Sequence, residues 1–229
     1  MIVGLFRRNR VVIEDEKSAS RLRNRGFKGR DIGTKLSLSL PVSYYLVRSG
    51  RLEVLRGTKK VEGEELFNVM DEDKKRMANA YLFLRLGGKN PYFYGGKLRW
   101  NRIPIEVCGE GERVQFKKFG KRTYLCITYE DGCLLYLSEI FLYKKQGNES
   151  LKNVLQDSGY RVETGIKYGC DYRLYEKSPH ASFLVTLDDE PLARDLVGRI
   201  RIAHSVRKTY VHAAKKDGSL ILYKFRWIR

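Results

Sequence analysis

The stretch from Tyr168 to Val185 constrains the fold most, because it places two strand patterns close together. The first pattern ends at Tyr175, and His180 follows five residues later. Directly after His180, an apolar pattern typical of a buried strand covers residues 181–187. We therefore expect neighbouring strands whose ends bring a tyrosine and a histidine close enough for one pocket.

The first of these two patterns is amphipathic. Successive side chains of a strand point to opposite faces. The alternation over 171–175 therefore puts Tyr172 and Leu174 on one face, and Arg173 and Tyr175 on the other.

A basic helix pattern follows the apolar strand. Asp188, Asp189 and Pro191 are expected to open it as capping and first-turn residues. The helix is expected to run to Lys208, and Arg194, Arg201 and Lys208 are spaced by seven, which places them along one stripe. A solvated helix face explains such a stripe, and so does an anion site. The acidic run before Pro191 suggests a metal nuclease only weakly, because helix capping fits its position better.

The C-terminus has the pattern of a β-hairpin. Two strand patterns, over 209–214 and 219–228, are joined by Lys215-Lys-Asp-Gly218, which is a strong hairpin signal. The second is apolar on both faces, as expected of a central strand or of a strand that meets another subunit.

Patterning along the whole chain predicts an α+β protein in three parts. Residues 1–87 form a small mixed α/β domain, in which an acidic pattern from Glu64 to Leu84 predicts one helix. Residues 88–148 form a strand-rich insertion, a possible degenerate repeat of the first domain, and Gly147-Asn148 is the predicted boundary. Residues 149–229 form a domain with a central mixed sheet flanked by helices.

The charge points to an anionic partner. The formal net charge is +18, and residues 1–60 contain 15 Lys and Arg against 5 Asp and Glu. Such an excess favours nucleic acid binding. Within it, the basic and glycine-rich segment 24–30 either holds a phosphate backbone or is a solvated loop.

Other classes of protein fit less well. The four cysteines show no Cys-x-x-Cys spacing and have no nearby histidine, so a zinc site is not expected. The first residues are too short for a signal peptide, and no apolar run approaches the ~20 residues of a membrane span. An intracellular, cytoplasmic protein with reduced thiols is the expectation.

Tyrosine, histidine and lysine without clustered carboxylates suit RNA cleavage that needs no metal. A ribose 2′-hydroxyl loses a proton and attacks the adjacent phosphorus, and the departing 5′-oxygen gains a proton. A histidine can supply that proton near neutral pH, and Lys208 can stabilise the additional negative charge. Tyr175 is a poor base unless a nearby cation lowers its pKa, which a lysine in the same pocket would do. Alternatively, Tyr175 is an ordinary strand residue and His180 an ordinary turn residue.

Three motifs together resemble the catalytic domain of the archaeal tRNA-splicing endonucleases. They are Gly-Cys-Asp-Tyr-Arg-Leu-Tyr ending at Tyr175, His-Ala-Ser-Phe-Leu-Val beginning at His180, and Arg-Ile-Ala-His-Ser-Val-Arg-Lys ending at Lys208. The resemblance covers about 159–229, extends more weakly over 10–54, and is not seen over 88–148.

The resemblance implies a function and a set of site residues. Tyr175 would be the general base, His180 the general acid and Lys208 the stabiliser of the transition state, with no metal or cofactor. Arg201, and with it Arg226, would sandwich a bulge base. The substrate would be precursor tRNA, cut at a bulge–helix–bulge to leave a 2′,3′-cyclic phosphate and a 5′-hydroxyl.

The resemblance also implies a dimer or tetramer, in which an acidic loop of one subunit enters a basic pocket of another. Here the corresponding hairpin has only Asp217 as an acid, which favours a second, different subunit over a homo-oligomer. The connection from Tyr175 to His180 is shorter than expected for the family. The alternative function is a noncatalytic structural or RNA-binding subunit of such an assembly.

Overall fold

In a computed structural model of the protein, residues 1–145 and 150–228 are described. They divide into two compact units, one of residues 1–107 with 130–133, the other of residues 108–129 with 134–229. Gly147 and Asn148, where we predict a domain boundary, lie outside the described residues. The division into three domains stays a prediction.

The first unit is built on a six-stranded sheet in the order β3-β4-β2-β1-β5-β6. Strand β1 runs antiparallel to β2 and parallel to β5, so the sheet is mixed. Three further strands, β7, β8 and β9, follow one another as an antiparallel meander. The elements of this part of the chain are β1 Ile2–Arg7, β2 Arg10–Ile13, α1 Glu16–Asn24, β3 Arg30–Ile32, β4 Lys35–Ser39, α2 Leu40–Arg48, β5 Leu52–Arg56, β6 Lys59–Val61, α3 Gly63–Asn68, α4 Glu72–Leu86, β7 Tyr92–Tyr94, β8 Lys97–Trp100 and β9 Ile103–Gly109.

Helix α2 forms the centre of the first unit's core. It begins with Pro41 in its first turn, where a missing N–H costs nothing, and its residues 40–46 are all buried. Helices α3 and α4 pack against it, and the Tyr45 and Tyr81 rings meet edge to face at 5.7 Å. The prediction of one helix from Glu64 to Leu84 was wrong, because the Asp71 carboxylate accepts a hydrogen bond from the Lys74 N–H and starts a new helix.

The second unit contains seven strands in the order β12-β13-β14-β15-β16-β11-β10. Strands β14 and β15 are parallel, whereas β12 with β13, β13 with β14, β15 with β16 and β16 with β11 pair antiparallel, so this sheet is also mixed. The elements are β10 Arg122–Tyr129, β11 Gly132–Lys145, α5 Leu151–Asp157, β12 Arg161–Thr164, β13 Tyr172–Tyr175, β14 Phe183–Leu187, α6 Ala193–Ser205, β15 Thr209–Lys216 and β16 Ser219–Ile228, with short 3₁₀ turns at Phe116–Lys118 and Ile166–Tyr168.

Helices cover both faces of this sheet. One apolar cluster contains residues of α6 together with Tyr210 of β15 and Tyr223 of β16. The other contains residues of α5 together with Val211 and Leu222, which are adjacent to those tyrosines on the same two strands. Adjacent residues of β15 and β16 thus belong to different clusters, as expected for strands buried on both faces. The apolar character of the C-terminal strand comes from this central position.

The predicted C-terminal hairpin is confirmed. Strands β15 and β16 pair antiparallel across a two-residue turn at Asp217 and Gly218. Both turn residues have positive φ, 47° and 69°, as a type I′ turn requires.

The predicted α+β class is confirmed, with a mixed first domain, a strand-rich middle and a mixed C-terminal sheet flanked by helices. Residues 88–145 contain five strands and one 3₁₀ turn, and no α-helix. None of the helices in the described ranges is long and apolar enough to cross a membrane.

Candidate active site

The hairpin of β12 and β13 places Tyr175 within a small charged network. Tyr175 lies opposite Arg161, and Arg173 opposite Glu163, so all four side chains share one face of the hairpin. The Tyr175 hydroxyl donates to Glu163 Oε2 at 2.8 Å, and Arg173 Nη2 donates to the same oxygen at 3.0 Å. The Arg161 guanidinium lies 4.1 Å from the centre of the Tyr175 ring.

This network raises the pKa of Tyr175 above its ordinary value. The main cause is the hydrogen bond to the Glu163 carboxylate, with a smaller contribution from burial, while the charges of Arg173 and Arg161 act in the opposite direction. We expected a nearby cation to lower this pKa. That expectation was wrong because an anion holds the hydroxyl directly.

His180 lies in the connection between β13 and β14 and is exposed. Its backbone N–H donates to the Ser178 hydroxyl at 3.1 Å. In the part of the chain that the structure describes, its imidazole makes no hydrogen bond. The ring can therefore turn toward a substrate without breaking an internal contact.

Lys208 follows the end of α6 and precedes the first residue of β15. The helix ends at Ser205, so the prediction that it runs to Lys208 was wrong. The Lys208 N–H donates to the Ala203 carbonyl and the Arg207 N–H to the His204 carbonyl, and Arg207 has a φ of 55°. This is a Schellman ending with an arginine in the left-handed position that glycine usually takes.

The ending directs the lysine toward the segment that carries His180. Lys208 Nζ donates to the Ala181 carbonyl at 2.8 Å, and Ala181 is the residue after His180. Next to it, the Thr209 N–H donates to the Ser182 carbonyl at 3.0 Å. The start of β15 is thereby fixed beside the start of β14.

A cavity of about 820 Å³ brings three of the predicted site residues together. Lys208, Arg201 and Arg226 all line it. The lining also includes the partly buried Trp227 and the exposed His204, whose rings are 6.1 Å apart and nearly perpendicular. Cations and aromatic rings in one concave surface are what a single-stranded nucleotide needs.

Tyr136 lines the same cavity and is fully buried. Burial raises its pKa to about 12, with the Arg201 charge opposing the rise. Its hydroxyl oxygen has no hydrogen-bond partner among the described residues. The phenol is therefore neutral, and the Arg201 side chain, which lines the same cavity, is close enough to act on it.

The carboxylates before α6 have structural partners rather than the capping role we predicted. The helix is capped at Leu192 without a side-chain hydrogen bond. Asp188 Oδ2 lies 3.4 Å from Arg199 Nη1, and Asp189 Oδ1 accepts from the Lys215 N–H at 2.8 Å. Within residues 1–145 and 150–228, no three His, Cys, Asp or Glu side chains form a group that could hold a metal ion.

The structure groups the predicted residues only in part. Arg201, Lys208 and Arg226 share the cavity, whereas Tyr175 and His180 are not among its lining residues. Within the described ranges, no hydrogen bond joins Tyr175, His180 and Lys208 to one another. Their membership of a single site stays a prediction.

Glu163 is the member of the network that sequence reasoning missed. The strand pattern over 160–164 was recognised, but the identity of its partner strand and the register were not available from one sequence. A signal did exist, since Arg161 and Glu163 alternate on one face, as Arg173 and Tyr175 do.

Comparisons with known proteins match both ends of the chain. The family model of the tRNA intron endonuclease catalytic C-terminal domain matches residues 151–223, and that of the tRNA intron endonuclease N-terminal domain matches residues 2–67. A tRNA-splicing endonuclease of Methanococcus vannielii is 40% identical over 58% of this chain and 93% of its own length. One of Thermococcus onnurineus is 25% identical over 96% of this chain and 93% of its own. Two matching domains in the right order, together with a relative matched over nearly its full length, show that the chain belongs to the tRNA intron endonuclease family.

Proposed function

We propose that this chain is a catalytic subunit that cuts precursor tRNA at bulge–helix–bulge junctions between exon and intron. The reaction is attack by a ribose 2′-hydroxyl on the adjacent phosphorus. A bond forms between the 2′-oxygen and phosphorus, and the bond from phosphorus to the 5′-oxygen breaks. The products are a 2′,3′-cyclic phosphate and a 5′-hydroxyl.

In this proposal, Tyr175 and Glu163 accept the proton of the 2′-hydroxyl together. Because the pKa of Tyr175 is raised, its hydroxyl is protonated at neutral pH. It can take up the substrate proton only while its own proton moves to Glu163 Oε2, which already accepts its hydrogen bond. Glu163 thus supplies the basicity that a neutral phenol lacks.

His180 donates the second proton, to the departing 5′-oxygen. Its imidazole is exposed, so it can reach a substrate, and histidine is the side chain that most often serves as a general acid. Lys208 then stabilises the negative charge that develops on the non-bridging phosphate oxygens, a role in which a fixed cation is most effective.

The observation that best supports this function is the hydrogen bond from Lys208 Nζ to the Ala181 carbonyl. It holds an ammonium group beside the backbone of the segment that carries His180, and no structural salt bridge neutralises that ammonium within the described residues. The cation is therefore available to a phosphate.

Arg201 and Arg226 bind a bulge base in this proposal. Both are exposed and both line the cavity that contains Lys208. Guanidinium groups stack on bases without selecting a sequence, which suits recognition of an unpaired nucleotide.

We propose that the active form is an oligomer with a second endonuclease subunit. The β15–β16 hairpin carries one acid, Asp217, beside Lys215 and Lys216. This charge fits poorly into a basic pocket of an identical chain, so a different partner is favoured.

Cleavage of a bulge–helix–bulge RNA by the purified chain in EDTA tests the function. Lys208→Ala and His180→Ala should each lower the cleavage rate by roughly 10²–10⁴, the range for one proton-transfer or charge-stabilising group. Lys177→Ala is the matched control, since Lys177 is an exposed cation of the same connection as His180.

Full activity in the Lys208 and His180 variants, or loss of wild-type cleavage in EDTA, would overturn the mechanism. If the pure chain cuts only after a second subunit is added, the hetero-oligomer is supported. If a reconstituted assembly keeps its activity with both variants, this chain is its noncatalytic subunit.

A further inference from the structure

The first unit contains a cavity of about 430 Å³ whose charged lining is entirely basic. No aspartate or glutamate lines it. The four cations of the lining are Arg10, Lys28, Arg30 and Lys74. They come from the start of β2, the loop before β3, the start of β3 and helix α4. Three separate segments of the chain, around residues 10, 28–30 and 74, therefore converge on one concavity, which distinguishes it from a solvated run of charge.

Strand pairing fixes two of these cations on one face of the sheet. Arg10 lies opposite Ser39 and Arg30 lies opposite Ser37, both across strand β4. Directly opposed residues share a face, and residues two apart on a strand do so as well. The two arginines therefore project from the same face, with their Cα atoms about 7 Å apart along the strands and about 10 Å apart across β4.

Gly29 makes this arrangement possible. A Cβ added there would lie 2.4 Å from the Ser37 carbonyl oxygen and 2.9 Å from Leu36 Cδ1. Only glycine allows the loop that carries Lys28 to pass so close to β4. The base of the loop is fixed by the buried Phe27, over whose ring the Arg85 guanidinium lies at 4.4 Å.

The neighbouring acids are engaged in ion pairs, one of them with Lys74, which itself lines the cavity. Asp31, next to Arg30, is bound by Arg23 Nε at 2.9 Å. Lys74 pairs with Asp71, and the Lys28 ammonium lies 4.3 Å from the centre of the Tyr92 ring. Within residues 1–145 and 150–228, neither Arg10 nor Arg30 forms an ion pair.

Ser39 adds an unsatisfied hydroxyl to the lining. It is the N-cap of α2, yet its side chain makes no capping hydrogen bond. The oxygen is shielded from solvent and has no partner within the described part of the chain. A hydroxyl beside a helix N-terminus and two arginines is suited to a phosphate oxygen.

We propose that this cavity is a second RNA-binding site, which takes the sugar-phosphate backbone of the RNA and reads no base sequence. The segment 24–30, for which the sequence left a phosphate contact and a solvated loop open, contributes Lys28 and Arg30 to it. That the bound anion is RNA rests on the proposed function. That the cavity binds a phosphate group rests on its lining alone.

The test measures binding of uncleaved precursor RNA in the Lys208→Ala background, over a range of salt. The cavity variant carries Arg10→Gln, Lys28→Gln and Arg30→Gln. The control variant carries Arg51→Gln, Arg56→Gln and Lys59→Gln, three exposed cations on or beside β5 and β6 in the same unit that do not line the cavity. Both variants lose the same charge, so only the cavity's contribution differs.

We expect the cavity variant to lose about 2 from the slope of log affinity against log salt, since each phosphate contact contributes roughly 0.7–0.9. Its affinity for RNA at low salt should fall at least ~10-fold. The slope of the control variant should change by less than the contribution of one phosphate contact. Equal slopes for both variants would overturn the proposal. If the cavity variant is unstable by its melting temperature, Lys28→Gln alone should still lower the slope by about one contact.

Two further measurements complete the test. One distinguishes RNA from a small anion as the source of the phosphate, and the other separates the RNA-binding proposal from the proposed catalytic function. If inorganic phosphate raises the wild-type melting temperature, and RNA binding does not depend on the cavity, the site is for a small anion and the RNA proposal is overturned. Cleavage by the otherwise wild-type chain reports the proposed function separately. If the chain is inactive but its RNA binding depends on the cavity, the proposed catalytic function is contradicted and the second RNA-binding site is supported.

Discussion

The Tyr175 hydroxyl is held by Glu163, and this contact determines what the tyrosine can do. A phenol whose pKa is raised is a weaker acid at neutral pH, so it does not act as a phenolate. In the proposed mechanism it acts instead as a relay between the substrate and a carboxylate. In this role Glu163 positions Tyr175 and receives its proton.

We predict that Glu163→Gln lowers the cleavage rate at neutral pH by roughly 10²-fold, because general base catalysis is lost. In the same variant the pKa of Tyr175 should fall toward its ordinary value, since a neutral amide replaces the charged acceptor that stabilises its protonated form. Ionised Tyr175 can accept the substrate proton by itself, so the rate of the variant should rise with pH more steeply than that of the wild type. Single-turnover cleavage between pH 6 and 10 measures both effects.

Glu176→Gln is the control, because Glu176 is an exposed acid directly after Tyr175. It should leave the rate and the profile unchanged. A Glu163→Gln variant with a reduced rate but an unmoved profile would show a merely structural role for Glu163.

At this scale the sequence predicted the residue types better than their contacts. The alternation over 171–175 placed Arg173 and Tyr175 on one face, as observed. The partner that sets the pKa of Tyr175 comes from β12, and its register depends on three-dimensional pairing. The sequence motif that contains Tyr175 therefore could not predict the direction in which its pKa shifts.

Elements begin and end in this protein through caps that a hydrophobic pattern does not reveal. The Asp71 cap divides one predicted helix into α3 and α4. The left-handed Arg207 stops α6 three residues before Lys208. Arginine rarely adopts a positive φ, so its presence in the sequence did not indicate this ending. By contrast, the Asp217-Gly218 turn was predictable, since that pair is characteristic of a type I′ turn.

Strand β15 carries a buried histidine that should make stability depend on pH. His212 Nε2 lies 2.6 Å from the Asp188 carbonyl oxygen and its Nδ1 lies 3.0 Å from the Tyr210 hydroxyl. Its ring stacks on Phe116 at 4.3 Å. Burial lowers the pKa of His212 to about 4.

We predict that this histidine lowers the free energy of unfolding as the pH falls from 7 to 4. Below the unfolded pKa of about 6.5, the unfolded chain binds a proton that the folded chain refuses, and the loss reaches about 3 kcal/mol near pH 4. Urea unfolding at several pH values, compared between wild type and His212→Gln, isolates this contribution. The variant should be less stable at pH 7 and lose less on acidification; parallel curves for both proteins would contradict the prediction.

Charge organises the molecule as a whole. The net charge of +18 predicted an anionic partner, and cations line concave surfaces in both units. Composition could indicate nucleic acid, but it could not show which of 45 Lys and Arg converge. That convergence depends on pairings such as Arg10 with Ser39 and on the left-handed Arg207 that follows the end of α6.

The central claim is attack by the substrate's own 2′-hydroxyl, and one substituted RNA tests it most directly. A bulge–helix–bulge substrate with a single 2′-deoxy nucleotide at one junction is incubated in EDTA with the chain, or with its reconstituted assembly. We predict that cleavage stops at that junction, continues at the other, and leaves a 2′,3′-cyclic phosphate there. Cleavage at the 2′-deoxy junction would contradict the account.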